Sequence, residues 1–277
     1  MISTMSKDKK YVLVTGAANG IGLATTQYLA SKGDFVIATD KHKEALEQLQ
    51  GKENIIPIFM DVTNNDSISK AITEIEKITD GLDVLVNNAG CFHGGPLVEF
   101  SEEEMIEIFN VNVFGVHKVT KQFFPLLLKN KGTIINVGSE TGRVAWPING
   151  PYSMTKYALE AFSDSLRREL MFLGMKVVHL QVGAMDTNFL DRTLYCYSDC
   201  IDIEQTLFPN LVGSVVDACK GERGKASDPI VVGKKIHKII NKKRPKSRYR
   251  IKNDRLRRMT EFLPSSLLDK SLKMMFK

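Results

Sequence analysis

Short apolar runs rich in β-branched residues alternate with longer segments whose apolar residues recur at helical spacing. Six runs read as strands: 11–14, 35–38, 55–60, 82–86, 133–137 and 176–181. Helical periods lie between them at 21–31, 44–49 and 102–128 (one or two helices), and a long one at 152–173. Another starts at Ser67 and puts Ile68, Ile72, Ile75 and Ile78 on one face. Strands of four to six residues separated by helices imply right-handed crossovers and a parallel sheet covered on both faces. The pattern predicts an α/β, doubly wound parallel sheet of the Rossmann type over residues 8–190.

Beyond 190 the pattern changes. Residues 193–202 have no clear period, 203–220 and 229–240 read as helical, and 221–228 form a polar link. A basic stretch follows Pro245, and an amphipathic segment spans 265–276, with Leu267, Leu268, Leu272, Met275 and Phe276 on its apolar face. No Pro- or Gly-rich boundary separates these parts, so one domain with a C-terminal helical extension is expected. Residues 191–233 read as a substrate-covering segment, and 234–277 as a basic, amphipathic extension.

Composition narrows the picture by exclusion. With 277 residues, 43% hydrophobic and 25% charged, the chain is outside the disordered, collagen-like and disulfide-scaffold classes. Its four cysteines have no metal-ligand spacing, so reduced thiols and no metal site are expected. No signal peptide or spanning apolar run is visible, which predicts a soluble, cytoplasmic protein. The formal charge of +6 is unevenly placed. Between Lys234 and Arg258, thirteen Lys or Arg face one acid, Asp254, for a local +12; the remainder is therefore −6.

Two groups of residues carry chemistry. Thr15-Gly16-Ala17-Ala18-Asn19-Gly20-Ile21-Gly22 follows the first strand and opens the first helix. There glycines permit a tight turn and close approach of a pyrophosphate, which backbone N–H groups and the helix dipole hold. Asp40 closes the second strand, 18 residues after Gly22. A carboxylate there accepts from both ribose hydroxyls of NAD and repels the 2′-phosphate of NADP. Lys41 and Lys43 partly offset that repulsion, and a helix N-cap is the alternative role for Asp40. NAD is the expected cofactor, with NADP second.

The other group is Tyr152-Ser153-Met154-Thr155-Lys156, which sets a phenol and an ammonium four residues apart on one helix face. A nearby Lys⁺ favours the phenolate and brings a tyrosine toward a useful proton-transfer range. Ser139, 13 residues upstream at a strand's C-terminal end, offers a hydroxyl to a substrate oxygen.

With these motifs the chain resembles the short-chain dehydrogenase/reductases over residues 8–190. The resemblance also rests on Asp61-Val62, Asn87-Asn88-Ala89-Gly90 and Asn112 in Asn-Val-Phe-Gly. The run from Tyr152 to Leu170 looks most like the branch of retinol and hydroxysteroid dehydrogenases, with hydroxybutyrate dehydrogenases nearby. The resemblance implies Tyr152 as general acid/base, Lys156 on the nicotinamide ribose, Ser139 orienting substrate, and Asn112 holding a relay water. It further implies cofactor contacts from Gly16, Asn19, Gly20, Ile21, Gly22, Asp40, Asp61, Val62, Asn88, Ala89, Gly90, Val111, Gly183, Met185 and Thr187. Two departures stand out. Gly138 replaces the family's usual Ser, and Val182-Gly183-Ala184 lacks the usual Pro-Gly, leaving a looser loop.

Trp146 and Leu190 are candidate substrate contacts beside Ser139 and Tyr152, although Trp146 reads equally well as a packed lid residue. Phe189, Leu194 and Leu207 are candidates for an apolar cover, and His93 reads as a solvated loop residue. The expected activity is NAD(H)-dependent interconversion of an alcohol and its carbonyl on a lipophilic substrate: a hydroxysteroid, retinol or another lipid alcohol. The alternatives are a small hydroxy acid such as 3-hydroxybutyrate, or a non-catalytic NAD(H)-binding sensor or scaffold. The resemblance implies a homodimer or homotetramer. Nucleic acid is not an expected partner, because the basic stretch has only Tyr249 as an aromatic and no recognition motif. Peripheral contact of the C-terminal extension with an anionic membrane is a candidate, against a tail that packs back on its own subunit.

Overall fold

A computed structural model describes residues 9–275. Seven strands, β1 (Tyr11–Thr15), β2 (Phe35–Asp40), β3 (Ile55–Phe59), β4 (Val84–Asn87), β5 (Thr133–Ser139), β6 (Lys176–Val182) and β7 (Arg248–Ile251), form one sheet in the order 3-2-1-4-5-6-7. Every pairing is parallel. The order reverses between β1 and β4, so the loops leaving their C-terminal ends part and open a crevice.

Helices cover both faces. On one side α1 (Gly20–Ala30), α2 (Lys43–Glu47) and α9 (Ile230–Ile240) bury Leu29, Leu46, Val232, Ile236 and Ile239 against the sheet. On the other, α3 (Asn65–Ile75), α5 (Val116–Lys129) and α6 (Gly150–Leu170) bury Ile68, Ile75, Phe123, Leu127 and Leu170. The predicted α3 face holds for Ile68, Ile72 and Ile75, but Ile78 lies past the helix end and is exposed. The 102–128 region divides into α4 (Glu102–Phe109), a π-helical segment Asn110–Gly115, and α5. A capping box on Ser101 and Glu104 starts α4. The long helix α6 ends at Leu170 and finishes in a 3₁₀ turn, Met171–Leu173.

The C-terminal third differs most from expectation. Residues 193–202 hold most of a helix, α7 (Asn188–Ser198), whereas 203–208 precede α8 (Pro209–Arg223) as non-helical chain. The basic stretch contains the unpredicted strand β7, followed by α10 (Arg255–Thr260) and α11 (Ser265–Met275). The segment read as a helical extension therefore also supplies a sheet strand. Three of its arginines, Arg248, Arg250 and Arg257, are held by carboxylates. Arg248 Nε donates to Glu160 at 2.6 Å and pairs with Asp164 at 2.9 Å, and Arg250 pairs with Glu261 at 2.6 Å. Phe276 falls outside the described residues.

Candidate active site

The β1–α1 turn is shaped by close packing. Gly16 and Gly20 have φ of +62° and +51°, where glycine carries no steric penalty. A Cβ on Gly16 would come within 2.9 Å of Ala89 Cα, and one on Gly22 would overlap the carbonyl of Gly16. The opposite wall is tied down by Thr15 and Asn88. Thr15 Oγ1 accepts from the N–H groups of Asn88 and Ala89, each at 3.0 Å. The Asn88 amide donates to the carbonyls of Thr15 and Gly16 at 2.9 and 3.0 Å.

Above this turn lies a cleft of about 650 Å³. Gly16, Asn19, Gly20, Ile21, Asp40, Asp61, Val62, Asn88, Ala89, Gly90, Val111, Tyr152, Lys156, Gly183, Met185 and Thr187 all line it, so the structure brings these expected contacts together. Gly22 does not line it; that glycine serves the turn's internal packing. Asp40 Oδ2 accepts from Ala18 N–H at 3.1 Å and Oδ1 from His42 N–H at 3.1 Å, which fixes a buried carboxylate at the cleft wall. Lys41 lines the cleft beside it, whereas Lys43 turns away over the ring of Phe59. Asp61 Oδ1 is held by Thr63 N–H and Oγ1, both at 2.8 Å.

The Gly183 loop compensates for its missing proline. Gly183 N–H donates to Ile251 O at 2.9 Å, Asp186 N–H donates to Ser227 O at 2.9 Å, and a Cβ on Gly183 would overlap the Lys252 carbonyl. The end of β7 therefore braces the loop.

Tyr152 and Lys156 occupy the middle of the cleft on α6, with Ser139 at the end of β5. Lys156 Nζ lies 5.4 Å above the Tyr152 ring and donates to Val137 O at 3.3 Å. Burial lowers the Lys156 ammonium to about 8. Burial raises the Tyr152 phenol above its ordinary value, and hydrogen bonding to Ser139 opposes that rise. Ser139 Oγ accepts from Thr141 N–H at 3.2 Å and from Thr141 Oγ1–H at 3.0 Å. Asn112 is buried behind the cleft in the π-helical segment. Its amide donates to Cys91 O at 3.0 Å and Thr155 Oγ1 at 3.1 Å, and its Oδ1 accepts from Cys91 N–H at 2.9 Å. These contacts use both amide hydrogens of Asn112 and one acceptor position of its Oδ1.

The outer end is an aromatic chamber. Phe92 lies 5.1 Å from Tyr152, 5.3 Å from Tyr197 and 6.0 Å from Phe189, ring centre to ring centre. Trp146 and Leu190 line this end, Leu194 packs in the cluster behind it, and Leu207 is solvent-exposed rather than part of a cover. His93 does lie in the loop after β4, but it is largely shielded rather than solvated and lines the cleft 3.7 Å from Glu107. Sequence reasoning missed Tyr197, Val215, Glu222 and Arg257 here. Arg257 sits 5.5 Å over the Trp146 ring, donates to Glu140 Oε1 at 2.8 Å and pairs with Glu222. No local signal marks Arg257, because its partners lie far away along the chain.

This geometry, together with a match of residues 10–194 to the family described as short chain dehydrogenase, decides the assignment. The chain belongs to the short-chain dehydrogenase/reductase family. A relative from Ornithobacterium rhinotracheale, described as an NADPH-dependent 3-dehydrocapnine reductase, is 32% identical over 94% of this chain and 95% of its own. Rat 17-beta-hydroxysteroid dehydrogenase type 6 is 40% identical over 67% of this chain and 60% of its own. Among solved structures, a short-chain dehydrogenase from Streptomyces avermitilis superposes with a TM-score of 0.77 at 26% identity, covering 96% of each chain. As a short-chain dehydrogenase/reductase the protein is an NAD(P)-dependent oxidoreductase acting on an alcohol or its carbonyl. The glycine turn fits such a dinucleotide: its space is closed to side chains on the protein side while the loop lines the cleft.

Proposed function

We propose that this short-chain dehydrogenase/reductase uses NAD(H) to interconvert a lipophilic secondary or primary alcohol and its carbonyl. The observation that carries this reading is the continuity of the reactive centre with the aromatic chamber: Tyr152 packs directly against Phe92 and Phe189. The rings packed around Tyr152 give this end an apolar face that suits a sterol, retinoid or fatty alcohol, with His93, Arg192, Glu222 and Arg257 as charged or polar groups at its wall. The bound nicotinamide supplies the hydride acceptor or donor. Tyr152 moves the proton at the substrate oxygen, Ser139 holds that oxygen, and Lys156 binds the nicotinamide ribose and favours the phenolate. Asn112 fixes the backbone between the Cys91 loop and α6, where a relay water would be held. Asp40 supports NAD over NADP, although the Ornithobacterium relative is described as NADPH-dependent.

Arg192 favours a second reading. It lines the same end of the cleft and has no carboxylate partner among the described residues, so a hydroxy acid is the alternative substrate. A homodimer or homotetramer through the outer faces of α5 and α6 completes the proposal; Tyr157 on α6 is 43% exposed.

The test is a panel of steroids, retinoids, fatty alcohols and 3-hydroxybutyrate, read by NADH absorbance with NAD and NADP in parallel. Turnover on a lipophilic alcohol supports the reading, and turnover on 3-hydroxybutyrate alone replaces it. Tyr152→Phe should abolish turnover while leaving NADH binding intact. Normal rates in that variant would overturn the mechanism.

A further inference from the structure

We infer that α10, the turn after it and α11 form a docking surface for an anionic lipid bilayer. Among the described side chains, five large apolar ones stand in water along these successive turns: Met259 (67% exposed), Phe262 (77%), Leu263 (44%), Leu267 (52%) and Met274 (73%). The α11 helix accounts for two faces of different fate. Leu268 and Leu272 are half-buried, whereas Leu267 and Met274, two turns apart on the side next to them, are left exposed. The body of the protein thus covers part of the apolar arc and leaves the rest.

The charges around this surface point to the occupant. Lys252, Arg255, Arg258, Lys270 and Lys273 are exposed and have no ion-pair partner among the described residues. Two of the neighbouring acids are already engaged. Asp254 caps α10 by accepting from Arg257 N–H at 2.9 Å, and buried Glu261 is paired with Arg250 and Arg143. Asp269 is the one acid of α11. The result is an apolar ridge with a cationic rim. A second copy docked face to face would oppose the two cationic rims, whereas an anionic headgroup layer neutralises them while the ridge enters the acyl boundary. The surface is also joined to the cleft, since α10 carries Arg257 to the chamber wall beside Trp146.

Sedimentation of the full chain with phosphatidylcholine vesicles, with and without phosphatidylserine, tests this without relying on turnover. Binding should be about ten-fold stronger or more to the phosphatidylserine vesicles and should weaken with added salt. The exposed-site variants Phe262→Asp with Met274→Asp, and separately Lys270→Glu with Lys273→Glu, should each lose most of that binding. Retained NADH binding by fluorescence would show that the variants are folded. Equal sedimentation of wild type and both variants overturns the proposal. So does a wild-type oligomer that Phe262→Asp dissociates, because the ridge would then be a subunit interface.

Discussion

The ring of His179 fills the space into which any side chain at position 138 would project. Both residues lie in paired strands, β5 and β6, immediately behind Ser139. His179 is held there: its Nδ1 is 2.9 Å from Ser163 Oγ, and its Nε2 is 3.1 Å from Glu160. Gly138, where the family usually has Ser, is therefore the steric complement of His179. Gly138→Ser should destabilise the protein by about 1–3 kcal/mol in denaturant unfolding. Combined with His179→Ala, it should cost less than the sum of the two single changes. Simple additivity would show that the two positions do not compete for the same space.

Asp40→Ala should relax the preference for NAD. The carboxylate is held by the N–H groups of Ala18 and His42 with cationic Lys41 beside it, so its removal leaves a wall that tolerates a 2′-phosphate. The ratio of kcat/KM for NADP to that for NAD should rise by about ten-fold or more, the equivalent of about 1.4 kcal/mol. An unchanged ratio would remove Asp40 from cofactor selection.

Glu160 makes stability depend on acid. Burial raises its pKa, but hydrogen bonds from His179, Gln181 and Arg248, together with the charge on His179, outweigh that and hold the carboxyl down to about 2. Its folded value lies below its unfolded one, so the unfolded chain binds more protons in this window. Stability is therefore fully present above about pH 4.5 and is lost as pH falls toward 2. Its contribution is on the order of 3 kcal/mol. Urea midpoints of wild type should fall through that range, and those of Glu160→Gln should fall less. Parallel pH profiles would contradict this.

Arg257→Leu should lower both stability and substrate affinity. Glu140, next to Ser139, would keep the Asp254 N–H at 2.9 Å but lose its guanidinium, and Trp146 would lose the cation above its ring. A charged hydrogen bond of this partly exposed kind contributes about 1–3 kcal/mol. Thermal unfolding should register the loss, and KM for the substrate should rise more than KM for the cofactor. Arg257→Lys should recover part of the stability. Equal effects on both KM values would detach Arg257 from the chamber.

The residues that sequence reading placed best are those whose partners are close along the chain. The glycine turn, the Tyr152–Lys156 pair and the six buried strands announce themselves locally, because a run of β-branched residues or a four-residue spacing needs no distant information. Strand β7 was hidden because Arg248 and Arg250 alternate with Tyr249 and Ile251, and the arginines dominate its composition. Their carboxylates, Glu160, Asp164 and Glu261, lie on other elements. Helix α7 was missed for another reason: Phe189, Leu190, Leu194 and Tyr197 do share one side, but a break at residue 190 cuts off the helix's first turn, and the window to 202 runs past its end at Ser198. The chamber wall of Phe92, Tyr197, Val215 and Arg257 is assembled from four separate segments.

The pairing of late arginines with early carboxylates also sets an order of events during synthesis. Glu140 and Glu160 emerge long before Arg248 and Arg257, which neutralise them. Until then both carboxylates lack the guanidinium partners they have in the finished fold, so the packing behind Ser139 should become complete only after the last strand and α10 have been released. A premature stop at residue 234 would then remove more than a tail. It would leave an open sheet edge at β6, uncovered acids behind Ser139 and an unbraced Gly183 loop, and the product should be recognised as misfolded rather than survive as a shortened enzyme.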